Sequence, residues 1–309
     1  MKKVSSCLMV AVLLLTTVLL CGCSSFRDIS GSRKRPQYSI GVALKAANSP
    51  YWMDMQTGMQ KAAADYDVDL TLVYPSDESQ TEEQNQLIKD LLDSDIDLLL
   101  AAPCDCFGAS WIAKTAEEKN IPFLSVDDRA VNSKVPYIGS DNKRIGRDAG
   151  EYFNETLPEG SSVYVVLGPY NQMSCQERLY GIRSTLSDSI ALEHVEYTDM
   201  TEKDAYRCIM QAKEPIDGVF CHNIIAAQGV IAALQERGWD AEIITVDTKE
   251  DAMRVLNQKK IDAFFEQDGY KIGYQAIKTA FETLQNGELP EGNVLFRSKL
   301  ITNANQEEE

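Results

Sequence analysis

Histidine is nearly missing from this chain. Only His194 and His222 occur among 309 residues, and neither stands at zinc-site spacing from a second ligand. The sequence also lacks a nucleophile elbow, a phosphate loop and a metal motif, so no catalytic signature is read from it, and no cofactor or metal is expected. Basic residues are scarce. Thirty Lys and Arg stand against 47 Asp and Glu, a formal charge of −17 that excludes a nucleic-acid surface and broad attachment to anionic lipid. No long repeat, heptad or low-complexity tract occurs. The eight cysteines make no framework either. Cys7, Cys21 and Cys23 cluster at the N-terminus, and Cys104, Cys106, Cys175, Cys208 and Cys221 are odd in number and irregular in spacing, so at least one is unpaired. A metal reading of Cys104-Asp105-Cys106 would need further ligands.

What is present begins at the N-terminus. Lys2 and Lys3 precede an apolar stretch, Leu8 to Leu20, that is short for a bilayer span, and the small residue Gly22 precedes Cys23. The run Leu20-Cys21-Gly22-Cys23 resembles the lipobox of bacterial lipoproteins, although Cys21 stands where that motif usually has a small or β-branched residue. The resemblance implies a lipoprotein signal peptide over 1–22, cleavage before Cys23, and a lipid thioether on its sulfur that anchors an exported chain to the cell membrane. An ordinary signal peptide with Cys23 incidental is the alternative. Residues 23–36 read as a flexible tether whose Arg27, Arg33, Lys34 and Arg35 suit an anionic membrane surface beside the anchor. Residues 304–309, ending in three glutamates, read as a solvated acidic tail.

From Tyr38 onward, short apolar runs alternate with amphipathic segments. Strands are expected at 39–44, 69–73, 96–101, 122–126, 162–167, 218–221, 242–246 and 262–266. Between them apolar residues recur at helical spacing, as in Trp52, Met55, Met59, Ala62 and Tyr66, or Ile224, Ala227, Ile231 and Leu234. This rhythm predicts an α/β fold of doubly wound, parallel-sheet (Rossmann-like) domains with helices on both faces. One sheet could hold all these strands, but the spacing suggests two, with crossovers at 138–142, at 267–269 and near 294. The lobes then comprise 37–140 plus 268–294, and 141–267 plus 295–303.

Open α/β sheets bind ligands outside the carboxyl ends of their strands. Standing there are Ser49, Tyr51 and Trp52 after the first strand, Asp105 after the third, and Asp127, Asp128 and Arg129 after the fourth. The second half offers Arg178, Asn223, Asp247 and Gln267. Carboxylate, guanidinium and amide groups present in-plane pairs of acceptors or donors suited to neighbouring hydroxyls, and aromatic faces suit the C–H face of a sugar ring. Each has a plain alternative: Asp127, Asn223 and Asp247 as helix caps, Tyr51 and Trp52 as core. Their shared position is the signal.

At these residues the sequence resembles the sugar-binding proteins of ABC importers, in the ribose-binding-protein-like group of periplasmic-binding-protein type I. The likeness runs from about Tyr38 to Asn303. It is carried by Asn48-Ser49-Pro50-Tyr51-Trp52, Ala102-Pro103-Cys104-Asp105, Ile121-Pro122 with Asp127, and Tyr137-Ile138-Gly139-Ser140-Asp141-Asn142. Further on it is carried by Glu177-Arg178-Leu179-Tyr180-Gly181, Gly218-Val219-Phe220 with Asn223, Ile243 to Asp247, and Gln267 ahead of Tyr270-Lys271-Ile272-Gly273-Tyr274. The resemblance implies two lobes joined by three hinge crossovers that close on a monosaccharide or similar polyol and deliver it to ABC permease subunits. Tyr51 and Trp52 would stack on the ring, while Asp127, Arg178, Asn223, Asp247 and Gln267 would bond hydroxyls. Met200 falls where relatives often place a large aromatic. Ser49 and Ala102 replace two asparagines of ribose binders, and Asp128 replaces an arginine that Arg129 stands next to. These departures argue against ribose itself, and three aspartates would suit a ligand with an amino group. The rival readings are a sensing module that signals to a membrane kinase or chemoreceptor, and a glycosidase using two of the aspartates.

Overall fold

The computed structural model describes residues 36–47, 49–199 and 201–304. The expected signal peptide, the Cys23 anchor, the tether up to residue 35, Asn48, Met200 and the acidic end at 305–309 lie outside the described residues.

The first sheet grows from apolar runs that are buried on both faces. It contains β1 (Tyr38–Ala43), β2 (Val68–Val73), β3 (Leu98–Ala101), β4 (Phe123–Val126), β5 (Tyr137–Ser140) and β11 (Val294–Phe296), in the order β2-β1-β3-β4-β5-β11 and all parallel. In β3 no residue is exposed. Leu98 and Leu100 enter the core beneath α1 (Pro50–Tyr66) and α9 (Gly269–Asn286), whereas Leu99 and Ala101 enter the core beneath α2 (Thr81–Leu92) and α3 (Ser110–Glu118). Alternation across a pleated strand thus needs an uninterrupted apolar run here.

The second sheet contains β6 (Ser162–Leu167), β7 (Ala191–Tyr197), β8 (Gly218–Cys221), β9 (Glu242–Asp247), β10 (Ala263–Glu266) and β12 (Lys299–Thr302). Its order is β7-β6-β8-β9-β10-β12, and only β12 runs antiparallel. α4 (Asn142–Thr156) and α5 (Met173–Thr185) cover one face; α6 (Glu202–Gln211), α7 (Ile224–Arg237) and α8 (Lys249–Asn257) cover the other. Both sheets lie in one compact unit that begins at Gln37.

The chain passes between sheets three times: from β5 to α4, from β10 to α9, and from β11 to β12. Aspartates seal the first two passages as helix N-caps, Asp141 accepting from the Arg144 amide at 3.0 Å and Asp268 from the Lys271 amide at 2.9 Å. The third passage corrects the expected boundary at 294. Val294, Leu295 and Phe296 pair with Ile138, Gly139 and Ser140, so the first lobe keeps residues up to 296. In each sheet the strand order reverses beside the first strand of that lobe, between β1 and β3 and between β6 and β8, which opens a crevice at the carboxyl ends. All five described cysteines are buried and free.

Candidate functional site

One cleft of about 460 Å3 opens where the carboxyl ends of the two sheets meet, a size ordinary for small-molecule sites. Eight of the sequence-derived candidates line it: Ser49, Tyr51, Trp52, Asp127, Arg178, Asn223, Asp247 and Gln267.

The first lobe builds its wall from the ends of β1 and β4. Ser49 caps α1, its hydroxyl accepting from the Trp52 amide at 3.4 Å, and this sets the two aromatics on the first turn. Their rings meet edge to face, with centroids 5.3 Å apart. The Tyr51 hydroxyl donates to Asp127 at 2.6 Å, and the Trp52 indole donates to Glu78 at 2.7 Å. Asp127 adopts the left-handed backbone region (φ 60°), tolerable for Asp, and its carbonyl accepts from the Tyr137 hydroxyl at 2.9 Å. Beneath them lies Lys45, 2% exposed, with its ammonium 2.9 Å from Asp128 and 3.5 Å from Asp127. Burial works to strip its proton, but Asp128 and Asp127 outweigh burial and hold the lysine well above its usual range.

The second lobe centres on Arg178, 3% exposed on α5. Its Nε donates to Asn142 Oδ1 at 2.9 Å and its Nη1 to the His222 carbonyl at 3.0 Å. Nη1 also faces His222 Nδ1 at 3.3 Å, so Nδ1 accepts and the ring proton sits on Nε2. Burial, then Arg178 and Lys45, push His222 well below its ordinary pKa and keep it neutral. Asn223 caps α7 by accepting from the Ala226 amide at 2.9 Å, and Asp247 accepts from the amides of Ile224 (3.0 Å) and Thr248 (2.8 Å). These side chains cap helices and line the cleft at once. Gln267, at the second crossover, donates to Ser140 at 2.8 Å. Burial raises the carboxyls of Asp127, Glu78 and Asp247 above their usual range.

Three expected site residues are not in the cleft wall. Asp105 closes its own turn, accepting from the amides of Phe107 (2.9 Å) and Gly108 (3.1 Å). Asp128 is 2% exposed, turned onto Lys45 and onto the Ser174 hydroxyl at 3.1 Å. Arg129 pairs with Glu177 and lies over the Tyr137 ring at 5.1 Å. Met200 lies outside the described residues. The cleft wall also holds Lys45, Glu78, Asn142, Gln172 and His222, which strand-end reading missed. Lys45 had a signal, a lone cation immediately after the apolar run of β1. Glu78 and Gln172 sit in loops without one.

A family profile described as a periplasmic binding protein domain matches residues 40–289, and the chain belongs to that family. The architecture of two six-stranded α/β lobes is that of periplasmic binding protein type I. The ribose import binding protein RbsB of Bacillus subtilis is 25% identical over 292 residues, covering 92% of this chain and 94% of that protein. The Caulobacter myo-inositol binding protein, solved with myo-inositol bound, superposes at a TM-score of 0.80 with 20% identity, over 88% of this chain and 95% of its own. The fructose-binding periplasmic domain of a hybrid two-component system gives 0.80 at 21% identity, over 87% and 91%.

Proposed function

We propose that this chain is an extracytoplasmic binding protein that captures a monosaccharide or similar polyol between its lobes and delivers it to an ABC-type permease. The observation that carries the reading is the convergence, in one cleft, of an aromatic pair from the first lobe with Asp127, Arg178, Asn223, Asp247 and Gln267 from both lobes and a crossover. The relatives named above support sugars as the ligand class. Capture without turnover is the whole reaction, because only a closed arrangement lets both lobes touch one ligand, and that difference drives closure. Each charge-assisted hydrogen bond adds about 1.5–3 kcal/mol net, so a few with stacking reach the ~8 kcal/mol of micromolar affinity.

In this reading residues 1–22 are a signal peptide and a lipid on Cys23 anchors the chain to the cell membrane. Tethering keeps the loaded protein at high effective concentration near its permease. Metabolic labelling with a radioactive fatty acid tests the anchor: Cys23→Ser should lose the label, and a variant that keeps it removes the anchor.

A thermal-shift screen against pentoses, hexoses, polyols and amino sugars tests the ligand class. A true ligand at a hundredfold excess over Kd stabilises the fold by about 2.7 kcal/mol. Arg178→Ala should then weaken its binding by roughly 2 kcal/mol or more. No shift from any sugar, or unchanged affinity in the variant, rejects the assignment. The sensing alternative draws support from the two-component relative of the same fold, and a ligand-dependent complex with a kinase but no permease would favour it.

A further inference from the structure

Away from the cleft, β7 and α6 bring three side chains with metal-binding atoms to one place. His194 Nε2 and Glu196 Oε2 stand 2.9 Å apart, and one such atom from each of His194, Glu196 and Cys208 lies within 4.8 Å of the others. All three line a hollow of about 610 Å3 that shares no lining residue with the cleft.

The backbone aims them. Between Val163 and Tyr164 the pairing of β6 with β7 shifts by one residue, so Glu193 is passed over and Tyr164 stands opposite His194. A bulge of this kind moves every later side chain to the other face. Beyond it Val195 and Tyr197 pack on the core under α4 and α5, while His194 and Glu196 turn to the side where Cys208 projects from α6. The Cys208 residue is 6% exposed and lines the hollow, and its thiol has no hydrogen-bond partner among the described residues.

We propose that His194, Glu196 and Cys208 form a binding site for a zinc-class divalent transition-metal ion, with solvent in the fourth position. A thiolate, an imidazole and a carboxylate together select zinc and its neighbours, whereas calcium and magnesium take oxygen ligands. Bonds of roughly 2.0–2.3 Å place tetrahedral donors about 3.5 Å apart, so side-chain rotation closes the site without moving β7 or α6. On binding, the Cys208 proton leaves to solvent. The spacing explains why no metal is expected from the sequence: His194 and Glu196 alternate on a strand, and the third ligand comes from the next helix.

The test is a cobalt(II) titration of the full chain carrying Cys7→Ser, Cys21→Ser and Cys23→Ser, under a non-thiol reductant. One equivalent should bring up a thiolate-to-cobalt charge-transfer band that zinc abolishes. Cys208→Ser should remove the band, and His194→Asn, at an exposed position that leaves the fold intact, should weaken cobalt binding by roughly tenfold or more. Absence of the band overturns the site. So does a band that survives Cys208→Ser, or one indifferent to His194→Asn, since a thiol acting alone is not this site.

Discussion

Lys45 is the residue on which the first lobe's wall turns. It holds two aspartates that would otherwise repel each other where β4 ends, and its ammonium is almost wholly out of water. Removing one member of a buried ion pair leaves the other uncompensated, a loss typically of 3–5 kcal/mol. Lys45→Met should therefore cost about 3 kcal/mol in urea unfolding, with the slope unchanged, and adding Asp128→Asn should recover a large part of it. A single variant as stable as the parent would show that Asp128 is held by Ser174 instead. His222 gives a pH test. Its folded pKa lies well below the unfolded value of about 6.5, so the unfolded chain takes up the proton first as pH falls. Its contribution is complete above about pH 6.5 and is lost as pH falls toward the folded pKa, by at most about 1.4 kcal/mol per pH unit. His222→Gln should flatten the wild-type decline between pH 7 and 5. Parallel profiles for the two proteins would mean that His222 titrates alike folded and unfolded.

Among the elements, α4 and α5 decide where Arg178 stands, because their backbones touch. A Cβ added at Gly146 would lie 2.1 Å from the Arg178 carbonyl oxygen, and one at Gly181 would lie 2.5 Å from that of Lys143. Neither obstacle is a movable side chain. Gly146→Ala should therefore separate the helices, at about 2 kcal/mol of stability and with weaker ligand binding as Arg178 is displaced. An unfolding midpoint equal to the parent's would show that the helices part freely. The central strands of both sheets were legible in the sequence, because runs such as Leu98-Leu99-Leu100 can only be buried on both faces. The edges were not. β7 alternates charged and apolar residues around a bulge, and β11 has three residues, too few to show a period. The same limit governed the site: Asp127, Asn223 and Asp247 were visible as strand-end residues, whereas the burial of Asp128 depended on a lysine 83 positions away.

At the scale of the whole molecule, the lobes are joined by contacts that ask nothing of a ligand. Arg129 pairs with Glu177, Asp128 accepts from the Ser174 hydroxyl, the Cys106 amide donates to the Asn171 carbonyl at 2.9 Å, and Gln172 reaches Glu78 at 3.4 Å. All run between 78–129 of the first lobe and 171–177 of the second. On the proposed hinge mechanism these contacts belong to the closed form, so they bias the empty protein toward it and raise its apparent affinity. Glu177 is buried, but Arg129 keeps part of its side chain in water, which limits the pair's contribution to about 1 kcal/mol. Arg129→Met should then raise the apparent Kd by up to about fivefold, without any change in the cleft wall. Small-angle scattering separates this from damage to the site: the empty variant should have a larger radius of gyration than the empty parent, and the two should coincide at saturating ligand. Equal radii in the empty proteins, together with equal affinity, would mean that the Arg129–Glu177 pair does not report on closure and that the lobes are held by the crossovers alone.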